Sequence, residues 1–161
     1  MKLHRSTVLL GIAGAALGAV ATALVGQHGF DMQPCPWCAL QRLIYVAIAI
    51  VALIGLAWRS PAAARALPLL LLLLCSFGIA AALWQHFVAA ATDSCNLTLA
   101  DRVLSTLHLD VLLPAVFQPR ASCADAAVDV LGVPFEFWSV AMFACIEAAA
   151  LWLFVAGRRI D

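Results

Sequence analysis

The sequence predicts an all-α membrane protein: a bundle of four transmembrane helices with two loops on one side of the bilayer, the longer loop carrying a short helix. Three observations point there. Apolar residues make up 65% of the 161 and charged residues only 11%, and the mean hydropathy is +1.02. A water-soluble domain of this size has no interior large enough to hide so much apolar surface. Four apolar stretches approach the roughly 20 helical residues that cross a hydrocarbon core of about 30 Å. Basic residues, finally, gather on one side of those stretches, as the orientation rule for membrane helices requires.

The first stretch covers residues 8–25, behind Lys2 and Arg5. It resembles a signal peptide in its basic start, its apolar run and the small residues around Ala21 and Ala23. The run exceeds the roughly 7–15 residues of a cleaved signal, so the segment is expected to stay as an anchor. Its Gly14-x-x-x-Gly18 pattern permits close helix packing, although that motif is weak alone. A short outer loop at residues 27–37 leads to the second helix, residues 38–58. That helix reaches spanning length only if it starts near Cys38, which sets Cys35 and Cys38 at the membrane surface. Arg59 to Ala66, with Pro61, forms a brief link on the opposite side, and the third helix covers residues 67–90. The long outer loop spans residues 91–136, and the fourth helix spans residues 137–156.

Within the long loop, Thr98-x-x-Asp101 has the form of a helix start. Leu99, Val103, Leu104 and Leu107 then recur at helical spacing opposite Asp101, Arg102 and Ser105. Such a helix either lies flat on the membrane surface or packs on its neighbours as an ordinary loop helix, and Pro114 and Pro119 are expected to end it. Lys2, Arg5, Arg59, Arg65, Arg158 and Arg159 fall on one side of the membrane. Only Arg42, Arg102 and Arg120 fall on the other, among seven acidic residues from Asp31 to Glu136. Both termini are therefore expected to be cytoplasmic. The formal net charge is zero, which argues against nucleic acid as a partner.

Chemistry concentrates in the outward cysteines. Cys35-Pro36-Trp37-Cys38 is a CxxC pair at a helix start, where the helix N-terminus and nearby positive charge favour a thiolate fit for disulfide exchange. Arg42 follows Cys38 at i+4, on the same helix face. A guanidinium just inside the interface either supports that sulfur or an acceptor carbonyl, or snorkels to the headgroups. Zinc, and metal binding in general, is disfavoured because the next outward cysteines, Cys95 and Cys123, have 27 residues between them and no partner at ligand spacing. By spacing alone those two form a structural disulfide worth about 3–4 kcal/mol. Beside a CxxC at the same membrane face, they form instead a second dithiol able to pass electrons by exchange. Exchange only moves electrons between sulfurs, so a final acceptor is required. The chain has no GxGxxG and no CxxCH, whereas a lipid-soluble quinone needs only an apolar slot with one or two polar anchors.

The sequence resembles the disulfide bond formation protein B (DsbB) family over nearly its whole length. The resemblance rests on four membrane helices, CPWCALQR at the head of the second, and a second cysteine pair in the long loop. It implies a bacterial inner-membrane thiol:quinone oxidoreductase with its redox cysteines on the periplasmic side. Such an enzyme reoxidises a DsbA-type periplasmic thiol oxidase and draws on the membrane quinone pool, ubiquinone or menaquinone. Carried over by residue, Cys95 is attacked by the partner and Cys123 is its partner in the resting loop disulfide. Cys35 exchanges with the loop pair, and Cys38 faces the quinone. Arg42 matches the quinone-associated arginine, and His86, in Trp84-Gln85-His86, matches a histidine near the quinone ring. Gln41 stands where some relatives carry glutamate.

Other residues fit simpler roles. Trp37, Tyr45, Trp58, Trp84, Trp138 and Trp152 form an aromatic belt, with Trp37 and Trp84 alone having a case for touching a quinone ring. Cys75 and Cys145, inside the spans, serve as small hydrophobes. Glu147, near the middle of the fourth span, is expected to be protonated or hydrogen-bonded within the bundle. Two other functions compete. A vitamin K epoxide reductase-like thiol oxidase carries its CxxC near the end of a later helix, which disfavours it here, and a non-enzymatic membrane scaffold requires inert disulfides.

Overall fold

The structure, a computed structural model, describes residues 4–58, 60–91 and 98–157. Four long helices are each long and apolar enough to cross a membrane. They are α1 (Arg5–Gly29), α2 (Pro36–Ala57), α3 (Pro61–Trp84), which continues into a π-helical turn at Gln85–Ala89, and α7 (Phe135–Gly157). Between α3 and α7 lie three short helices, α4 (Leu99–Thr106), α5 (Leu109–Leu112) and α6 (Pro114–Phe117), and a two-stranded hairpin, β1 (Asp129–Val130) and β2 (Val133–Pro134). The predicted four-helix membrane bundle is the observed architecture.

Local chemistry sets where the helices begin. Ser60 Oγ accepts from the Ala63 amide at 3.1 Å and Pro61 takes the first helical position, so α3 starts six residues before the apolar run at 67. Hydropathy marks the membrane core, whereas caps mark the helix. At the other end of the bundle Cys35 is the N-cap of α2, with Pro36 at its first position.

Helix α2 is the most buried of the four and stands at the centre, with α1 along one side and α3 along another, while α7 packs chiefly on α3. The tightest approach lies between α3 and α7, where a Cβ placed on Gly78 would come within 2.5 Å of the Phe143 ring. Phe143 in turn stacks on Tyr45, with centroids 4.0 Å apart and an interplanar angle of 2°. Tyr45 therefore belongs to the bundle interior and not to an interfacial belt. Gly14 and Gly18 have open space where a Cβ would stand, so their motif holds no helix contact among the described residues. Ser76 Oγ on α3 donates to Glu147 Oε1 on α7 at 2.6 Å, which gives that carboxyl a partner on the neighbouring helix, at the exposed face of the bundle and not in its interior.

The long loop is more ordered than its composition indicates. Thr98 and Asp101 close a reciprocal capping box on α4. Ala100 and Leu104 are the buried residues of α4, and Leu104 joins Ala39 of α2 and Phe117 in one apolar cluster. The helix is thus seated on α2, with Leu99 and Leu107 left exposed. Pro114 opens α6 instead of ending a helix, because its fixed φ suits a first helical position. The hairpin pairs Asp129 with Pro134 and Val130 with Val133. Its two turn residues, Leu131 and Gly132, have φ of 56° and 76°, the left-handed pair of a tight hairpin turn.

Candidate functional site: a thiol chain beside an apolar cavity

The cysteines meet because two elements are fastened to the start of α2. Cys35 occupies the N-cap position usually given to Ser or Asp, and its Sγ accepts from the Cys38 amide at 3.3 Å. One turn of helix then brings the Cys35 and Cys38 sulfurs to 2.8 Å. The long loop is strapped across the same point, since the amides of Arg120 and Ala121 both donate to the Pro34 carbonyl, at 2.9 and 3.3 Å. The strap carries Cys123 beside Cys35, near enough for each thiol to shift the other's ionisation. Cys35, with no exposed surface, stands between Cys123 on the loop and Cys38 on the helix. Cys95 lies outside the described residues, as do Lys2, Arg59, Arg158 and Arg159 of the charge pattern.

Position sets the ionisation of the two thiols outside the spans. Burial, followed by the adjoining Cys123 and Cys38, pushes Cys35 well above the ordinary thiol range. The hydrogen bond from Cys35 holds Cys123 below that range, against a smaller opposing effect of burial. Of this pair, Cys123 is the more readily ionised and Cys35 the less.

Cys38 opens on its other side into a cavity of about 340 Å³ with mostly apolar walls. Helices α1 and α7 form its flanks, α2 its back, and the hairpin its outer rim. Arg42 lines it one turn below Cys38. Its guanidinium is buried and donates to Gln27 Oε1 at 2.6 Å, the Val116 carbonyl at 2.9 Å and the Ala23 carbonyl at 3.4 Å. These bonds tie α1, α2 and α6 together. Arg42 Nε keeps no hydrogen-bond partner among the described residues. Gln85, at the π-helical turn, donates to Cys38 Sγ at 3.2 Å, and its own Oε1 accepts from Gln41 Nε2 at 2.7 Å. A sulfur, a buried guanidinium and an amide pair thus line one apolar slot, a common composition for a small-molecule site.

His86 stands one layer back. It is absent from the cavity wall, but its Nδ1 lies 2.8 Å from Oε1 of Glu136, which does line the cavity. Trp37 and Trp84 are also outside the wall, their ring centroids 6.4 Å apart, and Trp138 lines the cavity in their place. The spacing of the sequence brings out the cysteines and Arg42 but not Gln27, Gln85 or Glu136. The available signal was polarity at the outer ends of apolar helices, where a buried amide or carboxyl needs a partner from another helix.

An apolar four-helix bundle that gathers three cysteine sulfurs at one end, beside a slot reaching into its interior, defines a membrane protein built for thiol chemistry. The family described as disulfide bond formation protein DsbB matches residues 5–153. Disulfide bond formation protein B of Herminiimonas arsenicoxydans is 32% identical over 153 residues, covering 94% of this chain and 95% of that protein. Disulfide bond formation protein B 1 of Pseudomonas syringae pv. syringae is 34% identical over 158 residues, covering 96% and 91%. Disulfide bond formation protein B of Azoarcus is 28% identical over 161 residues, covering 98% and 96%. The chain belongs to the DsbB family. It is a multi-pass membrane enzyme, a disulfide-forming thiol oxidase, and the scaffold and vitamin K epoxide reductase-like readings are set aside.

Proposed function

We propose that this enzyme reoxidises a DsbA-type periplasmic dithiol oxidase and passes the two electrons through Cys95/Cys123 and Cys35/Cys38 to a membrane quinone. On this reading it sits in the bacterial inner membrane with the cysteines at the periplasmic face and both termini in the cytoplasm. Arg5 and Arg65, at the bundle end opposite Cys35, support that orientation. The observation that carries the proposal is the placement of Cys35, in contact with Cys123 on one side and with Cys38, which opens into the cavity, on the other.

The relay balances as thiol exchange. In the resting enzyme Cys95–Cys123 and Cys35–Cys38 are disulfides. A partner thiolate attacks Cys95, and the bond to Cys123 breaks. Cys123, released as a thiolate by that cleavage, attacks Cys35, and Cys38 departs with the electron pair. Gln85 offers that departing sulfur an N–H at 3.2 Å, and the first turn of α2 offers its amides. The partner's second thiol displaces Cys95 and leaves as a disulfide. Cys95 then recaptures Cys123 and frees Cys35, so that the two electrons rest on Cys35 and Cys38. A quinone in the cavity would supply a sink for two electrons and two protons, and the lining suits one: apolar walls for a flat ring, with Cys38 and the Arg42 side chain among them.

Organic extraction of protein purified from membranes in mild detergent tests the acceptor. Quinone is expected at about one per chain, and at much less when Met142→Trp fills the cavity. Quinone no higher than lipid carry-over, with dithiol oxidation still proceeding, would overturn the assignment.

A further inference from the structure

Glu136 is the one carboxyl among the described residues that line the cavity. It is 4% exposed, in the first turn of α7, and Oε1 is 2.8 Å from His86 Nδ1. His86 is 31% exposed and held edge-on by the Phe87 and Phe137 rings, with centroids at 4.9 and 4.8 Å. The pair therefore runs from accessible surface, through one imidazole and one carboxyl, to the wall that also carries Cys38. The other titratable or charged groups facing the cavity are Cys38, Arg42 and Tyr45, all on α2; α1 and the hairpin segment contribute none. Tyr45 is engaged as a donor to the Ser139 carbonyl at 3.1 Å, and Arg42 cannot give up its proton.

We infer that His86 and Glu136 form a proton inlet, delivering to the cavity the protons that accompany the electrons leaving Cys35 and Cys38. The need follows from the chemistry. Thiols that react as thiolates leave their protons in water, while a carbonyl acceptor that takes two electrons must also take two protons. Glu136 hands on to the cavity a proton received from His86 Nδ1, and the first-turn amides of α7 are suitable neighbours for its carboxylate form. His86 reloads it through Nδ1 and is itself reloaded from water. A second passage completes the pair. The inference rests on the cavity being the acceptor site, as proposed above.

The test uses the full chain in detergent, with dithiothreitol as dithiol and a short-chain ubiquinone analogue as the probe. Wild-type reduction of the analogue is the control; without it the acceptor assignment itself fails, separately from the inlet. Glu136→Gln is expected to slow analogue reduction at least about tenfold, and a small weak acid such as formic acid to restore much of it. Glu136→Gln combined with His86→Gln is expected to be no slower than the slower single variant. In quinone-free protein, 15N-histidine spectra are expected to show the His86 Nδ1 resonance shifting in Glu136→Gln, which reports the contact independently of turnover. An unshifted resonance, a Glu136→Gln rate within about twofold of wild type, or a loss that weak acid does not rescue would each overturn the inlet. Should Glu136→Gln fail to purify, His86→Gln, at a more exposed position, carries the same expected loss and rescue.

Discussion

Replacing Gln85 with leucine removes the amide that donates to Cys38 Sγ at 3.2 Å and accepts from Gln41 Nε2 at 2.7 Å. Both glutamines are at most 4% exposed, so water does not take over the lost bonds. Leucine restores the volume and adds apolar contact, which leaves the orphaned Gln41 amide as the main loss, about 1–3 kcal/mol. Gln41→Leu strands Gln85 Oε1 and costs a similar amount. The double variant strands neither amide and forfeits only the weak bond to sulfur, about 1 kcal/mol or less. Taking about 2 kcal/mol for each stranded amide, it is therefore expected to fall about 4 kcal/mol short of the sum of the singles. Tryptophan fluorescence during unfolding in mixed micelles of increasing SDS content measures all four stabilities. Exchange at Cys38 follows a different pattern. Gln85→Leu and the double variant both lack the donor and are expected to be slowed about tenfold, because a hydrogen bond to the charged, departing thiolate is stronger than one to the resting sulfur and is worth about 1.4 kcal/mol. Additive stabilities, or a double variant that exchanges as fast as wild type, would refute the amide chain.

Three further outcomes follow from particular contacts. Gly78→Ala drives a methyl to 2.5 Å from the Phe143 ring and is expected to cost about 1–3 kcal/mol in the same unfolding assay, whereas Gly14→Ala, facing open space, is expected to change stability little. In the fully reduced protein, iodoacetamide labels thiolates. Because Cys123 is held below the ordinary thiol range and Cys35 above it, Cys123 labelling is expected to reach its midpoint at lower pH than Cys35 labelling. Equal midpoints by mass spectrometry would contradict the pairing. Thr98→Ala removes one half of the capping box on α4 and is expected to cost about 1 kcal/mol, seen as faster amide exchange over Leu99–Thr106.

The four helices are legible because a bilayer leaves no alternative to long apolar runs. Their starts are less so. Residues 61–66 seemed a link because Arg65 lowers their hydropathy, yet Ser60 and Pro61 already carry a cap and a first-position proline. The hairpin escapes because strands of two residues are too short to show alternation, and its one local cue, Leu131-Gly132, is a weak turn signal. In the site, CxxC spacing and the i+4 arginine are local and therefore visible. Gln85 and Glu136 depend on how α3 and α7 are rotated about α2, and rotation is set by contacts such as Gly78 against Phe143 that no single segment encodes. Glu136 counted as a loop charge because the apolar run begins after it, while the helix begins before it at Phe135.

The central claim is that electrons from an external dithiol reach a membrane quinone by way of Cys38. The most direct measurement mixes the purified protein with a reduced DsbA-type oxidase and a ubiquinone analogue and follows quinone absorbance for wild type and Cys38→Ser. The account predicts one quinone reduced per dithiol oxidised in the wild type and none in Cys38→Ser. Full turnover by Cys38→Ser, or oxidation of the partner with the quinone untouched, would contradict it.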